Sequence, residues 1–390
     1  MRIAYPYPEH LGHSPTRLLQ VAATVKSLVE QGIKVHFLVG SYSGLDRRLA
    51  ELGLAGLAGL AVERLPMLQP GPGRYWRFSW HWPFNKAAAF RLGELARLDR
   101  LGVLVRHLKL AAYLCRKLSP GAAPLIYEAH ELFEQSAREN GARAGKLARL
   151  AALESAVLAG ADRVVAISRP LARALEERPE VKHPVAVAPS GVEQSFFRIP
   201  SEGRERGLVA YCGGLAQWKG VDLLVEAMTF CRSSRLEILG GAPGSADWQR
   251  VEILLKRLGV GQRVVMRPQA GRDEVAALLA RAQVAVWPGS AKRRIAAEFT
   301  SPLKLFEYLA AGCAVVAPDL PAANSLLTHR KNAWLFKPDQ PMDLARALET
   351  LLQDGLFASQ MAERGRNLAW NYTWEARANI LLGVLEEALR

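Results

Sequence analysis

Several short stretches of this sequence combine residue types that can handle phosphate, sugar hydroxyls and protons. The richest is Phe299–Asp319, FTSPLKLFEYLAAGCAVVAPD. Ser301 and Pro302 read as a helix start, Ser as the cap and Pro in the first turn. A helix N-terminus offers unpaired N–H groups and the positive end of a dipole, which suits a diphosphate. Lys304, one turn in, adds charge to that position, and Glu307, nearly a turn further, can accept hydrogen bonds from both hydroxyls of a ribose. A capped surface helix with an exposed Lys and Glu would show the same residues, so this stretch alone decides nothing.

A second stretch is Tyr211–Val221, YCGGLAQWKGV. Gly213 and Gly214 follow an apolar run and let the backbone approach a ligand closely. Lys219 lies just past the turn, where an ammonium meets a phosphate, although Gly-Gly turns with one Lys are also ordinary loops. The third, YEAHE at Tyr127–Glu131, sets His130 at the end of an apolar run beside Glu128 or Glu131. A lone His is as readily a structural hydrogen-bonder as a reacting group. PSGVE at Pro189–Glu193 reads as a turn ahead of a polar linker.

The elements that must position these residues follow from periodicity. Met1–Tyr5 reads as a strand, Thr16–Gln31 as a helix with Leu18, Leu19, Ala22, Val25 and Leu28 at helical spacing, and KVHFLVG as a strand apolar on both faces. Strand, helix, Gly, strand is a βαβ unit. It recurs at PLIYEAH, a helix over Ala142–Ala159, DRVVAIS and HPVAVAPSG. After PSEGRERG a second series begins: GLVAYCGG, RLEILGG, RVVMRPQ, VAVWPGS and AVVAPD are strands, separated by helices. The expected fold class is α/β, two consecutive doubly wound halves, with ligands at the carboxyl ends of the strands and a cleft between the halves.

At 390 residues, half of them hydrophobic, the chain has room for two cores. Four scattered cysteines without a CxxC pair or a nearby histidine cluster argue against a disulfide framework or a structural zinc site and fit a reducing cytoplasm. No apolar run is long enough to span a bilayer. The net charge of +14 lies mostly in the first half, where Arg74–Lys117 carries ten Lys or Arg and two acidic residues and opens with RYWRFSWHW. Arg, Trp, Tyr and Phe interleaved in this way suit an anionic membrane surface, and a solvated basic helix pair with tryptophans in the core reads the same. Nucleic acid is a poor partner, because no helix-turn-helix, RRM or zinc-finger pattern occurs.

Taken together and in this order, the stretches resemble glycosyltransferase family 4, the group 1 glycosyltransferases of the GT-B fold. The resemblance runs nearly end to end, through VAISRPLARALEE, APSGVEQSFF, GGLAQWKGVDLLVEA, LEILGGAP, RDEVAALLARAQVAVWPG, SPLKLFEYLAAGCAVVAPDLP and the terminal NYTWEARANILLGVLEEALR. It implies two Rossmann-like domains facing a central cleft: an acceptor-binding domain at 1–198, a nucleotide-sugar donor domain at 199–370, and a helix at 371–390 crossing back to the first. It implies that Lys219 holds the donor diphosphate, Glu307 the ribose, and the backbone of Ser301, Pro302 and Leu303 the phosphate, with Lys304 adding charge. His130 would lie near the transferred sugar and Gly12 near donor or acceptor, with Gly213, Gly214, Gly241 and Arg267 completing the donor set. Two positions depart from the family pattern: Gly214 stands where an Arg is common, five residues before Lys219, and Phe299 where a Glu is common, eight before Glu307.

The implied activity is retaining transfer from a UDP- or GDP-linked sugar to a glycan or lipid-linked acceptor in cell-envelope or polysaccharide biosynthesis, cytoplasmic and peripheral on the inner face of the membrane. His130, Lys219 and Glu307 would be its catalytic set. No Asp-x-Asp signature occurs, so no metal or other cofactor is expected beyond the donor itself. The two departures keep one alternative open, a catalytically silent glycosyltransferase-like subunit that binds nucleotide. A different enzyme on the same scaffold, an epimerase or a phosphorylase, is the other.

Overall fold

The computed structural model describes residues 1–9, 15–67, 81–118, 121 and 123–390. The chain forms two compact units, Met1–Pro189 with Trp374–Arg390, and Ser190–Thr373. In the first, seven strands form one sheet: β1 (Arg2–Tyr7), β2 (Lys34–Gly40), β3 (Leu60–Leu65), β4 (Leu101–Val105), β5 (Leu125–Ala129), β6 (Arg163–Ala166) and β7 (Ala186–Val187). Their order is β3-β2-β1-β4-β5-β6-β7, with every ladder parallel. β1, β2, β4 and β5 are almost wholly buried, as strands covered by helices on both faces must be.

The second unit repeats the plan with β8 (Glu205–Cys212), β9 (Arg235–Leu239), β10 (Val264–Arg267), β11 (Ala282–Val286), β12 (Ala314–Pro318) and β13 (Trp334–Phe336), ordered β10-β9-β8-β11-β12-β13 and parallel throughout. Alternation along β8 sorts its side chains to two faces. Val209 and Tyr211 join a core with the helices Val221–Ala227, Ala246–Leu258 and Pro341–Gln353. Leu208, Ala210 and Cys212 join another with Arg272–Arg281 and Leu303–Ala310. The doubly wound α/β architecture expected from the sequence is the one the chain adopts. In each unit the strand order reverses beside the first strand, between β1 and β4 and between β8 and β11, and the crevice at that reversal is where such sheets bind ligands.

The first unit ends at Pro189 rather than near residue 198, because Val192, Phe196, Phe197 and Ile199 bury in the second unit's core. Strands β3 and β4 went unread in the sequence: LAVERL alternates poorly, and LGVLV is a short apolar run that periodicity cannot assign. Among the described residues no helix is long and apolar enough to cross a membrane. Nor is any group of three or more His, Cys, Asp or Glu there placed to hold a metal ion.

Candidate functional site

In the second unit the crevice beside β8 is built by glycines and one lysine. The Gly213 N–H donates to the Leu239 carbonyl at 2.9 Å, and a Cβ on Gly240 would stand 1.7 Å from the Gly213 oxygen. The two loops therefore touch backbone to backbone. The chain then makes a tight turn, Gln217–Lys219, and passes through Gly220 at φ 78°. A Cβ there would meet the Pro288 carbonyl at 2.0 Å, so only glycine lets this loop run against the one after β11. Arg250 fixes the turn from below: it donates to the Leu215 carbonyl and is held by Asp222 at 3.1 Å and Asp247 at 2.5 Å.

Lys219 leaves this turn half-buried, its Nζ 3.8 Å from the centroid of the Trp218 ring. Burial, and after it the charge of Lys304, pushes its ammonium down to about 8. Lys304 sits in the first turn of the helix Leu303–Ala310, and its Nζ is 2.9 Å from Oε2 of Glu307. The structure thus brings Lys219, Lys304 and Glu307 together, two ammoniums and one carboxylate beside a helix N-terminus whose first N–H groups have no partner within the helix. That helix is fixed from behind by Tyr308, whose hydroxyl receives the Cys212 N–H at 2.8 Å and reaches the Cys212 carbonyl at 3.2 Å.

The remaining residues expected to serve the donor fall in different places. Ser301 is not the helix cap: Pro302 occupies the cap position, and the Ser301 Oγ accepts the Ser190 N–H at 3.0 Å instead. The Ser301 side chain is thus turned toward the incoming chain at Ser190, and no side chain caps the helix. Gly214 is exposed with open space where a Cβ would stand, and its carbonyl accepts the Tyr211 hydroxyl at 2.7 Å. Gly241, at φ 77°, packs on Leu215, whose Cδ1 would lie 2.5 Å from an added Cβ. Arg267 stands apart at the end of the edge strand β10, exposed and 3.6 Å from Glu237. Phe299 is buried at 3% exposure, and Glu298 beside it pairs with Arg294 at 2.9 Å. Gly12 lies outside the described residues.

In the first unit His130 follows β5. Of the two neighbours the sequence offered, it takes Glu128, whose Oε1 receives its Nε2; strand alternation puts residues two apart on one side. Glu131 lies 3.7 Å from Arg17 instead. Because a carboxylate only accepts, the Nε2 of His130 carries the proton and Nδ1 is left as an acceptor. Burial first, then the charge of Arg106, lowers the imidazole well below its usual range, so it is neutral at neutral pH despite Glu128. Glu128 is itself buried. Desolvation would raise its carboxyl, but Arg377 at 2.5 Å and His130 hold it well below the carboxylate range. Arg377 also donates to the carbonyls of Ala188 and Pro189, the latter at 3.0 Å. Sequence reasoning missed this arginine because 249 positions separate it from Glu128.

Of the basic segment Arg74–Lys117, residues 74–80 lie outside the described residues. The helix Trp82–Leu98 buries Phe84, Ala88, Leu92 and Leu95. Its opposite face presents Trp82 and Phe90, 57% and 72% exposed, between Lys86 and Arg97.

Two family models match the chain, that of "Glycosyltransferase Family 4" over residues 20–196 and that of "Glycosyl transferases group 1" over residues 206–354. A D-inositol 3-phosphate glycosyltransferase of Jonesia denitrificans is 25% identical, over 92% of this chain and 82% of its own. Among solved structures, sucrose-phosphate synthase from Thermosynechococcus elongatus superimposes with a TM-score of 0.74 at 19% identity, covering 100% of this chain and 99% of that one. The Anabaena HepE protein in complex with UDP and glucose does so with a TM-score of 0.71 at 16% identity, covering 99% of each.

Proposed function

Because the chain belongs to glycosyltransferase family 4, the group 1 glycosyltransferases, we propose that its second unit binds a nucleoside-diphosphate sugar and its first unit the acceptor that receives the sugar with retention. The observation that carries this is the convergence of Lys219, Lys304 and the N-terminus of the helix Leu303–Ala310 beside the strand-order reversal, with Glu307 within one turn. Two ammoniums that repel one another are relieved by a diphosphate, and the first-turn N–H groups and positive dipole end of that helix suit its oxygens. Glu307, paired with Lys304 at 2.9 Å, accepts from the ribose hydroxyls. HepE's UDP makes UDP the first nucleotide to test and GDP the second.

In the reaction the bond from the sugar's anomeric carbon to the β-phosphate oxygen breaks. The acceptor oxygen bonds the same face of that carbon, and its proton passes to the leaving phosphate. Lys219, Lys304 and the helix terminus stabilise the charge gathering on the leaving group, so neither a metal nor a protein nucleophile is called for. His130 presents Nδ1 to a sugar hydroxyl, fixed by Glu128 on its other side. The acceptor is a glycan or a lipid-linked glycan of the cell envelope, reached from the cytoplasmic face of the membrane, where Trp82, Phe90, Lys86 and Arg97 suit the headgroup layer.

Calorimetric titration of UDP, GDP, ADP and their sugar conjugates, without metal, tests the donor reading. One nucleotide is expected to bind wild type and to lose about tenfold or more in Lys219→Ala and Glu307→Ala, the worth of a charge-assisted contact. His130→Ala should keep that binding and lose turnover. Binding of no nucleotide, or of one indifferent to Lys219, would overturn the assignment.

A further inference from the structure

Resting on the reading that the first unit holds the acceptor, we infer that Arg106 is the binding site for an anionic group, a phosphoryl or equivalent oxyanion, on that acceptor. Arg106 directly follows Val105, the last residue of β4, and so enters the crevice where the strand order of the first unit reverses between β1 and β4. His130 occupies the neighbouring strand end, after β5.

Among the described residues the guanidinium of Arg106 has no ion-pair partner of its own. The residue is half-buried, and its one hydrogen bond there runs from Nη1 to the Gln20 amide oxygen at 3.0 Å. The residues outside the description, 10–14, 68–80, 119, 120 and 122, include no Asp or Glu that could supply one.

The nearby carboxylates are committed elsewhere. Glu128 is shared by Arg377 at 2.5 Å and by His130. Glu9 takes the Tyr7 hydroxyl at 3.0 Å and Arg17 at 3.2 Å, and Glu131 lies 3.7 Å from the same Arg17. Arg106 nonetheless acts on the centre of the site, for its field reaches Tyr5, Tyr7, Tyr127, Glu128 and His130. A guanidinium drawn partly out of water with no counterion is unfavourable unless a ligand provides one. Its planar fork matches two oxygens of a phosphoryl group.

The test is calorimetric titration of inorganic phosphate into Lys219→Ala protein, whose donor site is disabled, at ionic strength held constant with chloride. Phosphate is expected to bind, to lose about tenfold or more in Lys219→Ala/Arg106→Gln, and to recover in part in Lys219→Ala/Arg106→Lys. Equal binding with and without Arg106, or no binding at all, overturns the assignment. A second readout guards against a merely structural role. In folded Arg106→Gln protein the His130 imidazole, followed by NMR, should titrate at higher pH than in wild type, and an unmoved titration counts against the site. Glycerol 3-phosphate and phosphatidic-acid vesicles, compared with phosphatidylcholine vesicles, then separate a soluble from a lipid-borne phosphoryl group, and Arg106-dependent binding of either supports the proposal. UDP titrated into wild type reports separately on the donor reading, so that can fail while this one stands.

Discussion

At the scale of single residues, Lys219 is the group whose chemistry is most exposed to test. Its ammonium is depressed to about 8 by burial and by Lys304, and a bound diphosphate would restore its proton. Affinity for the nucleotide should therefore be full below about pH 8 and fall above it, approaching a decade per pH unit. For the free protein the sign reverses, because the buried ammonium opposes folding below that pH and the penalty fades as pH rises through it. Calorimetry of UDP binding between pH 6.5 and 9.5 checks this, and a flat profile would place Lys219 away from phosphate. Sequence and structure part company at this scale. Lys219, Lys304 and Glu307 were legible because each follows a turn or helix start that the sequence announces. Arg106 was not, since VLVRHLKL lies within the basic run Arg74–Lys117 and its charge was counted with the surface. Ser301 was misread as a cap because a local signature says nothing about a backbone N–H arriving from position 190.

At the scale of elements, the helix Leu303–Ala310 is positioned from its far end. Arg204 donates to the carbonyls of Leu279 at 2.7 Å, Ala282 at 2.5 Å and Ala311 at 2.6 Å, tying together the C-termini of Arg272–Arg281 and Leu303–Ala310. A cation at two helix C-termini satisfies carbonyls that have no partner within their helices. Arg204→Ala should destabilise the second unit by about 3 kcal/mol, the worth of one or two charged hydrogen bonds. It should also weaken nucleotide binding severalfold without touching the ligand, with Arg204→Lys intermediate; denaturation and calorimetry on the same variants check both. Unchanged affinity beside lost stability would mean the helix keeps its place without this clamp. The helix Trp82–Leu98 carries the other prediction at this scale. If its outward face meets anionic lipid, Trp82→Ser/Phe90→Ser should abolish co-flotation with phosphatidylglycerol vesicles while leaving nucleotide binding intact. Absence of wild-type flotation at low salt would remove the membrane from the proposal.

At the scale of the whole molecule, the chain's end completes the first unit. The helix Trp374–Leu389 puts Ala378, Leu381, Val384 and Leu385 into the core around β1 and β2, and Leu385 lies so close to Gly102 that an added Cβ would stand 2.1 Å from it. The same helix delivers Arg377 to Glu128, so residues near the C-terminus orient the imidazole of His130. This long-range closure is what local periodicity cannot express, although the sequence did carry the helix itself. Arg377→Leu leaves a buried carboxylate without its counter-charge, an error of about 3–5 kcal/mol at neutral pH. The sign of the pH dependence follows from Glu128, whose carboxyl is depressed in the folded state. Its pairing stabilises wild type above the ordinary carboxylate range and is lost on acidification, whereas in Arg377→Leu the carboxyl is driven up and protonates early. The difference in stability between the two proteins should therefore be largest at pH 7 and shrink toward pH 4. Hydrogen exchange of β5 amides at both pH values reads it locally, without requiring the two units to unfold together. A difference that stays constant between those pH values would mean that Arg377 supports the site through packing rather than through its charge.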